Sequence, residues 1–327
     1  MKFFLRNLKK ILVARSKPFP LIFIVGPTAV GKSHLALKAA LANKGAIVNV
    51  DSLQVFNDLS IGTAKPSLQE RAKCPHFLFD ICELGETFTA GEYRRRAIEL
   101  ITEMECKYPL FFVGGSGFYL QALEKGMYDV EEVPETIKLQ VQKEIEVLGL
   151  KRVYESLLIQ DPNYANSIAP QDKYRIFRAV TLMRTHKQPM SEIVKGFKRQ
   201  QENHKLNKEI IKIGLNINRQ DLRIRVERRV DKMLDDGLVT EVQMLLSKVS
   251  ENWSPLASVG YKEVRDYVHG FVTYNEMREL IVTHTMQLAK RQMTWFKRDP
   301  DVHWFHPIEN ESAILDFLAT RLNRSRT

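Results

Sequence analysis

An eight-residue phosphate-binding pattern lies near the start of the chain and constrains the fold more than any other feature. The residues Gly26, Pro27, Thr28, Ala29, Val30, Gly31, Lys32 and Ser33 fit G-x-x-x-x-G-K-[S/T]. An apolar run over 20–25 predicts a buried strand before the loop, and 34–41 predicts a helix after it. A strand that leads into a helix in this way directs backbone N–H groups and the positive end of the helix dipole at one point. The pattern therefore predicts a polyphosphate site, in which Lys32 contacts phosphate oxygens and Ser33 holds Mg²⁺.

Strand and helix patterns alternate along much of the remaining chain. Apolar runs over 46–50, 110–113 and 210–217 predict further buried strands. This alternation is typical of the α/β class and predicts a P-loop NTPase-like parallel sheet flanked by helices. From 128 to about 200 the chain has helical patterns and no strand pattern, which predicts an inserted all-helical domain over 128–208.

The predicted organisation has three parts. Residues 1–17 form a basic N-terminal extension with no acidic residue; charges interrupt its apolar run, which argues against a secretory signal and leaves a transit peptide as the alternative. The α/β core comprises 18–127 and 209–327, and the helical insertion, predicted to contact RNA, comprises 128–208.

Finer predictions follow from local composition and periodicity. The polar, charged residues over 196–208 predict a surface loop. Helical periodicity predicts two long helices, over 219–248 and 275–298, and the apolar run 302–305 predicts a last strand.

Charge and cysteine content limit the partners and the compartment. A net charge of +10 over 327 residues favours a polyanionic partner. No apolar run reaches the ~18–20 residues of a membrane span. Cys74, Cys82 and Cys106 are odd in number and form no C-x-x-C pair, which favours a reducing compartment over a disulfide framework or a zinc site.

The carboxylates near the predicted strand ends do not fit phosphate transfer well. P-loop enzymes that hydrolyse or transfer phosphate usually carry an acidic residue after a further strand, to hold Mg²⁺. Here the strand over 110–113 leads instead into Gly114-Gly115-Ser116-Gly117. The nearest carboxylate at a strand end is Asp51, where ligands of open α/β sheets bind. Its position leaves three roles open: Mg²⁺ ligand, general base or helix cap.

Two basic segments are candidates for binding anions. Arg219, Arg223 and Arg225 follow a predicted strand and are placed to clamp a phosphate; a solvated basic helix face is the alternative. The segment 289–298 interleaves basic residues with Trp295 and Phe296. This pattern suits a nucleic-acid strand through phosphate contacts and base stacking, unless the two aromatic residues belong to the core.

Together these segments resemble the tRNA dimethylallyltransferase family. Besides the loop, the segments that carry the resemblance are 51–55, 61–66, 75–76, 113–119, 172–179, 259–261 and 289–296. The resemblance extends over about residues 20 to 306. A P-loop alone is common, whereas this ordered set is specific.

The resemblance implies a reaction and roles for several residues. The family transfers a dimethylallyl group from dimethylallyl diphosphate to N6 of the adenosine just 3′ of the tRNA anticodon, giving N6-dimethylallyladenosine and diphosphate. Loop 26–33 and Arg219 would bind the diphosphate, whose departing charge Lys32, Arg225 and Mg²⁺ would stabilise. Asp51 would be the general base, and Ser116 would line the reaction channel. The tRNA contacts implied are Asp51, Ser52, Leu53, Gln54, Gln171, Asp172, Lys173, Tyr174, Arg175, Lys290 and Arg291.

The chain departs from the family pattern at three positions. Met286 stands where arginine is common, Phe56 where tyrosine is usual, and Phe77 where a second histidine is usual. Eukaryotic relatives often carry a C-terminal zinc finger; no cysteine follows Cys106 here, so the chain resembles the bacterial type.

Three other functions compete with tRNA prenylation: prenylation of free adenine nucleotides, nucleotide phosphorylation, and RNA binding without transfer. The helical insertion and the positive charge favour a large RNA substrate. The expected partners are tRNA and dimethylallyl diphosphate, with Mg²⁺ as cofactor. We expect the protein to act without a membrane, as a cytoplasmic monomer.

Overall fold

The computed structural model describes residues 18–127, 133–203 and 205–324. The predicted basic extension over 1–17 lies outside the described residues. Within them, six strands form one parallel sheet in the order β3-β2-β4-β1-β5-β6. Their bounds are β1 Leu21–Val25, β2 Ala46–Asn49, β3 His76–Phe77, β4 Leu110–Val113, β5 Ile210–Leu215 and β6 Val302–Phe305.

The central strands are apolar because both faces of the sheet are covered. All residues of β1, β2 and β4 are buried, as expected for a parallel sheet between helical layers. The register pairs Ile22 with Phe111 on one side of β1 and with Ile211 on the other. The chain passes from β1 to one side of the sheet and later returns to the other side with β5. The carboxyl end of β1 is therefore a topological switch point, where α/β proteins bind ligands.

Helices connect and flank the strands, which confirms the predicted α/β fold. In chain order they are α1 Lys32–Ala42, α2 Leu68–Arg71, α3 Ala90–Met104, α4 Gly117–Lys125, α5 Glu135–Leu148, α6 Leu150–Gln160, α7 Pro162–Ala165, α8 Lys173–His186, α9 Met190–Asn203, α10 Arg219–Asp235, α11 Leu238–Lys248, α12 Tyr261–Val268, α13 Tyr274–Phe296 and α14 Glu311–Arg324. None of the helices in the described residues is long and apolar enough to span a bilayer.

The described residues divide into two compact units. One combines the chain up to Gln121 with the chain from Asn207 onward, and contains the sheet; the other is Ala122–Leu206. The second unit has its own apolar core, which includes Val141, Leu157 and Ile176. The predicted domain limits at 128 and 208, and the predicted RNA contact, stay predictions.

Two predictions of local structure were wrong. Residues 196–203 are not loop but the end of α9, because Met190, Ile193 and Phe197 recur at helical spacing and are buried. The single helix predicted over 219–248 is two helices. Gly237, with φ 101°, separates α10 from α11, and this left-handed conformation favours glycine and ends the first helix.

Candidate active site

The phosphate-binding loop lies at the carboxyl end of β1, as the sequence predicts. Gly26 has φ 140°, and a Cβ there would lie 2.5 Å from the carbonyl oxygen of Leu215 on the neighbouring strand. Only glycine permits this close approach. Val30 is fully buried and fixes the loop to the core. Lys32 and Ser33 then open α1, so the positive end of this helix is directed at the loop.

Lys32 is a half-buried cation, and no carboxylate among the described residues is hydrogen-bonded to it. Its Nζ donates to the carbonyl oxygens of Gly26 at 3.0 Å and Pro27 at 2.7 Å. Burial and the nearby Arg229 guanidinium lower the pKa of Lys32 to about 7, against the opposing effect of the Asp51 carboxylate. Because withdrawing an ammonium from water is costly without a counter-charge, an anion bound in the loop would favour the charged form of Lys32.

The arginines of α10 fall into two groups. Arg225 Nη1 donates to the carbonyl oxygen of Val30 at 2.9 Å, so this guanidinium lies against the loop. Arg219 is exposed in the first turn of the helix. Arg223, a member of the predicted clamp, is exposed and paired with Glu227 at 2.8 Å. Of the three predicted arginines, Arg225 is the one whose side chain contacts the loop.

Arg229 is a site residue that sequence reasoning missed. Its Nη2 donates to the carbonyl oxygen of Thr63 at 3.3 Å. Burial lowers its pKa, and the Asp51 carboxylate opposes that shift. The signal was available, because Arg229 follows Arg225 by four residues and four-residue spacing places both on one helix face.

Asp51 is held at the carboxyl end of β2 by the buried Asn49. The Asn49 side chain accepts a hydrogen bond from the Asp51 N–H at 2.8 Å and donates to the Asp51 carbonyl at 3.0 Å. Asp51 Oδ1 accepts from the Leu53 N–H at 2.9 Å. No helix begins here, and the next helix, α2, is capped by Ser67. The helix-cap alternative is therefore wrong. Within the described part of the chain, Asp51 Oδ2 accepts no hydrogen bond and is free to meet a ligand.

Ser116 and the glycine turn that carries it pack directly against the Asp51 segment. Ser116 Oγ accepts from the Ser52 N–H at 3.1 Å, and the Ser116 N–H donates to the Val50 carbonyl at 3.1 Å. A side chain at Gly114 would collide with the Val50 carbonyl, so glycine allows this contact. The structure thus brings Asp51 and Ser116 together at the loop's end of the sheet.

Gln292 of α13 joins the phosphate-binding loop to the glycine turn and was also missed. Its Oε1 accepts from the Thr28 N–H at 2.8 Å, and its Nε2 donates to the Gly115 carbonyl at 3.3 Å. A side chain in place of Gly115 would collide with the Gln292 amide. The bond to Thr28 spans 264 residues of sequence, and no local pattern indicates it.

A buried carboxylate holds the neighbouring loop in place. Glu241 accepts from the N–H groups of Ser60, Ile61 and Gly62 at 2.7–3.0 Å and from the Tyr261 hydroxyl at 2.8 Å. Four donors compensate for burying this charge. The same loop supplies the Thr63 carbonyl that accepts from Arg229 and, at 3.0 Å, from Gln54. Glu241 and Tyr261 thereby position Arg229 and Gln54.

A small cavity opens beside the loop. Its volume is about 70 Å³, and both apolar residues and the polar side chains of Gln54, Glu70 and His76 line it. Leu37, Ile47, Phe79 and Val113 form these apolar walls, and Ser33 lies at one side. The site therefore offers a polar anion loop next to a small space with apolar walls on part of its surface.

The predicted RNA contacts lie in both units. Ser52, Leu53 and Gln54 are half-buried beside Asp51. In the helical unit, Asp172 caps α8 through the Arg175 N–H at 3.1 Å, and its neighbours Gln171, Lys173, Tyr174 and Arg175 are exposed. Lys290 and Arg291 are exposed on α13. The two aromatic residues of 289–298 differ in burial: Phe296 is in the core, whereas Trp295 is 39% exposed.

Comparison with known proteins gives consistent matches over most of the chain. The family model described as IPP transferase matches residues 54–299. The tRNA dimethylallyltransferase of Bdellovibrio bacteriovorus is 44% identical over 285 residues, which is 87% of this chain and 92% of the relative. The crystal structure of the tRNA delta(2)-isopentenylpyrophosphate transferase of Staphylococcus epidermidis is 34% identical, covers 94% of this chain and all of that one, and has a TM-score of 0.66.

A eukaryotic dimethylallyltransferase acting on tRNA is a neighbour of lower sequence identity. It is 24% identical, with a TM-score of 0.76, and the match covers 92% of this chain and 80% of that one. This likeness bears on the fold alone.

Proposed function

We propose a function from one premise: the chain belongs to the IPP transferase family. The protein transfers a dimethylallyl group from dimethylallyl diphosphate to tRNA, and the acceptor atom is N6 of the adenosine just 3′ of the anticodon. The observation that carries the proposal is the placement of Asp51 with a free carboxylate oxygen at the sheet edge that also holds the anion loop. The general base that acts on the acceptor and the site that binds the donor's diphosphate are then adjacent.

The donor's diphosphate binds in loop 26–33. Lys32 and Arg225 lie at this loop without carboxylate partners among the described residues, and Arg219 reaches the diphosphate from the first turn of α10. The apolar walls formed by Leu37, Ile47, Phe79 and Val113 suit a five-carbon chain.

Transfer breaks the carbon–oxygen bond between the allylic carbon and the diphosphate, and forms a carbon–nitrogen bond to N6. Negative charge grows on the leaving oxygens, where preorganised cations stabilise it most in a dry site. The N6 lone pair is delocalised into the ring, so loss of an N6 proton must accompany or follow bond formation. Asp51 accepts this proton, and Ser116 positions the Asp51 segment through Ser52.

Mg²⁺ fits the residues present. The Ser33 hydroxyl lies in the first turn of α1 beside the diphosphate site, and Mg²⁺ prefers a few protein oxygens with phosphate and water oxygens. The described residues contain no group of three or more histidine, cysteine, aspartate or glutamate side chains able to hold a metal, so the diphosphate itself would supply ligands. When bound, the ion would neutralise charge on the leaving diphosphate.

The acceptor is an RNA because the chain is strongly basic and most of its predicted RNA contacts on α8 and α13 are exposed. The net charge is +10, and the unpaired cations of α13 suit a phosphodiester backbone. The target adenosine must leave its stack to reach a carboxylate at the sheet edge. A substrate of this kind places the enzyme in the cytoplasm, where we expect it to act as a monomer.

The experiment that tests the proposal offers labelled dimethylallyl diphosphate with Mg²⁺ to unmodified tRNA and, separately, to adenine nucleotides. Label in tRNA alone, located by nuclease mapping at N6 of the adenosine next to the anticodon, is the expected result. Label in free nucleotide, or phosphate transfer from ATP without prenyl transfer, would replace the proposal with one of its competitors.

A further inference from the structure

The outer face of the last turns of α13 forms a groove outside the site described above. Its volume is about 470 Å³. The groove is lined by Gln287, Lys290, Arg291, Thr294, Trp295 and Arg298. Apart from Trp295 this face is polar and basic, so a large aromatic ring is left in water among cations.

Contact with Gly117 fixes the position of the Trp295 ring. A side chain at Gly117 would collide with the indole, so the ring lies directly on this backbone. Gly117 follows Ser116, the residue whose hydroxyl accepts from the Ser52 N–H. The exposed indole is thus connected to Asp51 through Gly117, Ser116 and Ser52, and it lies at the same end of the sheet. The next residue along α4, Phe118, is also exposed, at 53%.

The cations around the indole lack acidic partners. No carboxylate among the described residues lies within ion-pair distance of Lys290, Arg291 or Arg298, whereas Arg278 earlier on the same helix is paired with Asp231 at 2.6 Å. Unpaired cations around an exposed aromatic ring are typical of sites where phosphates bind beside stacked bases.

A physical need for such a ring arises from the proposed reaction. A nucleobase that leaves its stack exposes a face of each neighbouring base to water, and unstacking costs free energy. An aromatic side chain close to the extrusion site offsets this loss, since stacking on a ring tolerates any base.

We propose that Trp295 is a stacking platform for the nucleobase adjacent to the extruded adenosine, with Lys290, Arg291 and Arg298 on the flanking phosphates. This inference rests on the proposed tRNA acceptor. It assigns Trp295 a role in RNA binding and none in proton transfer or diphosphate binding.

The test is a double-mutant cycle between protein and RNA. Binding of anticodon stem-loop RNA is measured for the unaltered protein and for Trp295→Ala, using RNAs that carry an abasic nucleotide on the 5′ or the 3′ side of the target adenosine. Trp295→Ala is expected to weaken binding of intact RNA by about tenfold, the usual scale of one stacked base. One abasic RNA should show the same loss with the unaltered protein and little further loss with the variant.

Fluorescence supplies a second measurement that does not depend on the alanine variant folding well. RNA binding should quench the indole emission in Trp304→Phe, which retains Trp295, but much less in Trp295→Phe, which retains Trp304; the buried Trp253 is present in both variants and contributes the same background. Trp304, on the edge strand β6, is a matched control because it is also partly exposed. It also packs beside a glycine, Gly214 of the neighbouring strand β5.

The outcomes separate this inference from the function beneath it. The stacking platform would be overturned, even if tRNA is prenylated, by either of two results. In the first, Trp295→Ala weakens binding of both abasic RNAs as much as it weakens binding of intact RNA. In the second, RNA quenches the emission of the two phenylalanine variants equally. Failure of the unaltered protein to prenylate tRNA would instead overturn the proposed function.

Discussion

The anion loop and the outer face of α13 both present cations at the site, but the two sets are held in opposite ways. Lys32 and Arg225 donate to loop carbonyls, and burial lowers the pKa of Lys32 to about 7. Lys290 and Arg291 are exposed and have no acidic partner among the described residues. Partly buried, preorganised cations act strongly on charge at one place, whereas exposed cations give weak, additive and salt-dependent attraction. The first set suits a reacting group, and the second suits a polymer.

We expect the largest effect at Asp51, because this residue acts in the chemical step. Asp51→Asn keeps an oxygen to accept from the Leu53 N–H but removes the base, so transfer should fall by about 10²–10⁴-fold. Single-turnover transfer measures the loss, and filter binding measures the affinity for tRNA. An equal loss of tRNA affinity would show that Asp51 holds RNA rather than accepting the proton.

Arg225 and Arg223 lie on the same helix and allow a half-buried cation at the loop to be compared with an exposed one. Arg225→Ala should reduce kcat/KM for the donor by about 10²-fold, because it removes a cation from the leaving group. Arg223→Ala is the matched control, since that side chain is exposed and paired with Glu227, and its effect should be below about twofold. Steady-state kinetics over a range of donor concentrations measure both. Similar losses would remove the role assigned to Arg225.

Gln292 tests whether the loop needs its link to the glycine turn. Gln292→Ala frees the Thr28 N–H and the Gly115 carbonyl, so the loop and the Ser116 turn are no longer joined. We expect a loss of about tenfold in kcat/KM for the donor, the scale of one or two missing hydrogen bonds.

The matched control for Gln292 is Gln287→Ala on the same helix, whose side chain is exposed. It should leave donor kinetics unchanged. If Gln292→Ala changed tRNA affinity alone, the residue would belong to the RNA face and not to the loop.

Lys32 makes the anion loop sensitive to pH. With a pKa of about 7, the free protein holds Lys32 largely neutral above pH 7, whereas bound diphosphate favours the ammonium. Donor binding at pH 8.5 should therefore take up about one proton, and uptake should vanish well below pH 7. Calorimetry in two buffers of different ionisation enthalpy measures this uptake. Lys32→Arg stays charged and should abolish it; persistent uptake would assign the proton to another group.

The difference between the two sets also explains what the sequence predicted. Loop 26–33 and Asp51 belong to local patterns, in which a strand is followed at once by the functional residue, and the structure places both at one sheet edge. Gln292 and Glu241 act across 264 and about 180 residues of sequence, so their roles depend on tertiary packing. The two-residue strand β3 was too short to produce a pattern.

The smallest effect is expected on the outer face of α13. Lys290→Ala and Arg291→Ala should each weaken tRNA binding only severalfold, and each should reduce the slope of log K against log salt by about one unit, because one phosphate is no longer neutralised. Lys262, an exposed lysine on α12, provides the control Lys262→Ala, which should leave the slope unchanged. Binding titrations between low and physiological salt measure the slopes, at fixed donor concentration. Donor kinetics should not change in either α13 variant. A large, salt-independent loss would mean that these cations are buried against the RNA and bind it specifically, and the contrast between the two sets would fail.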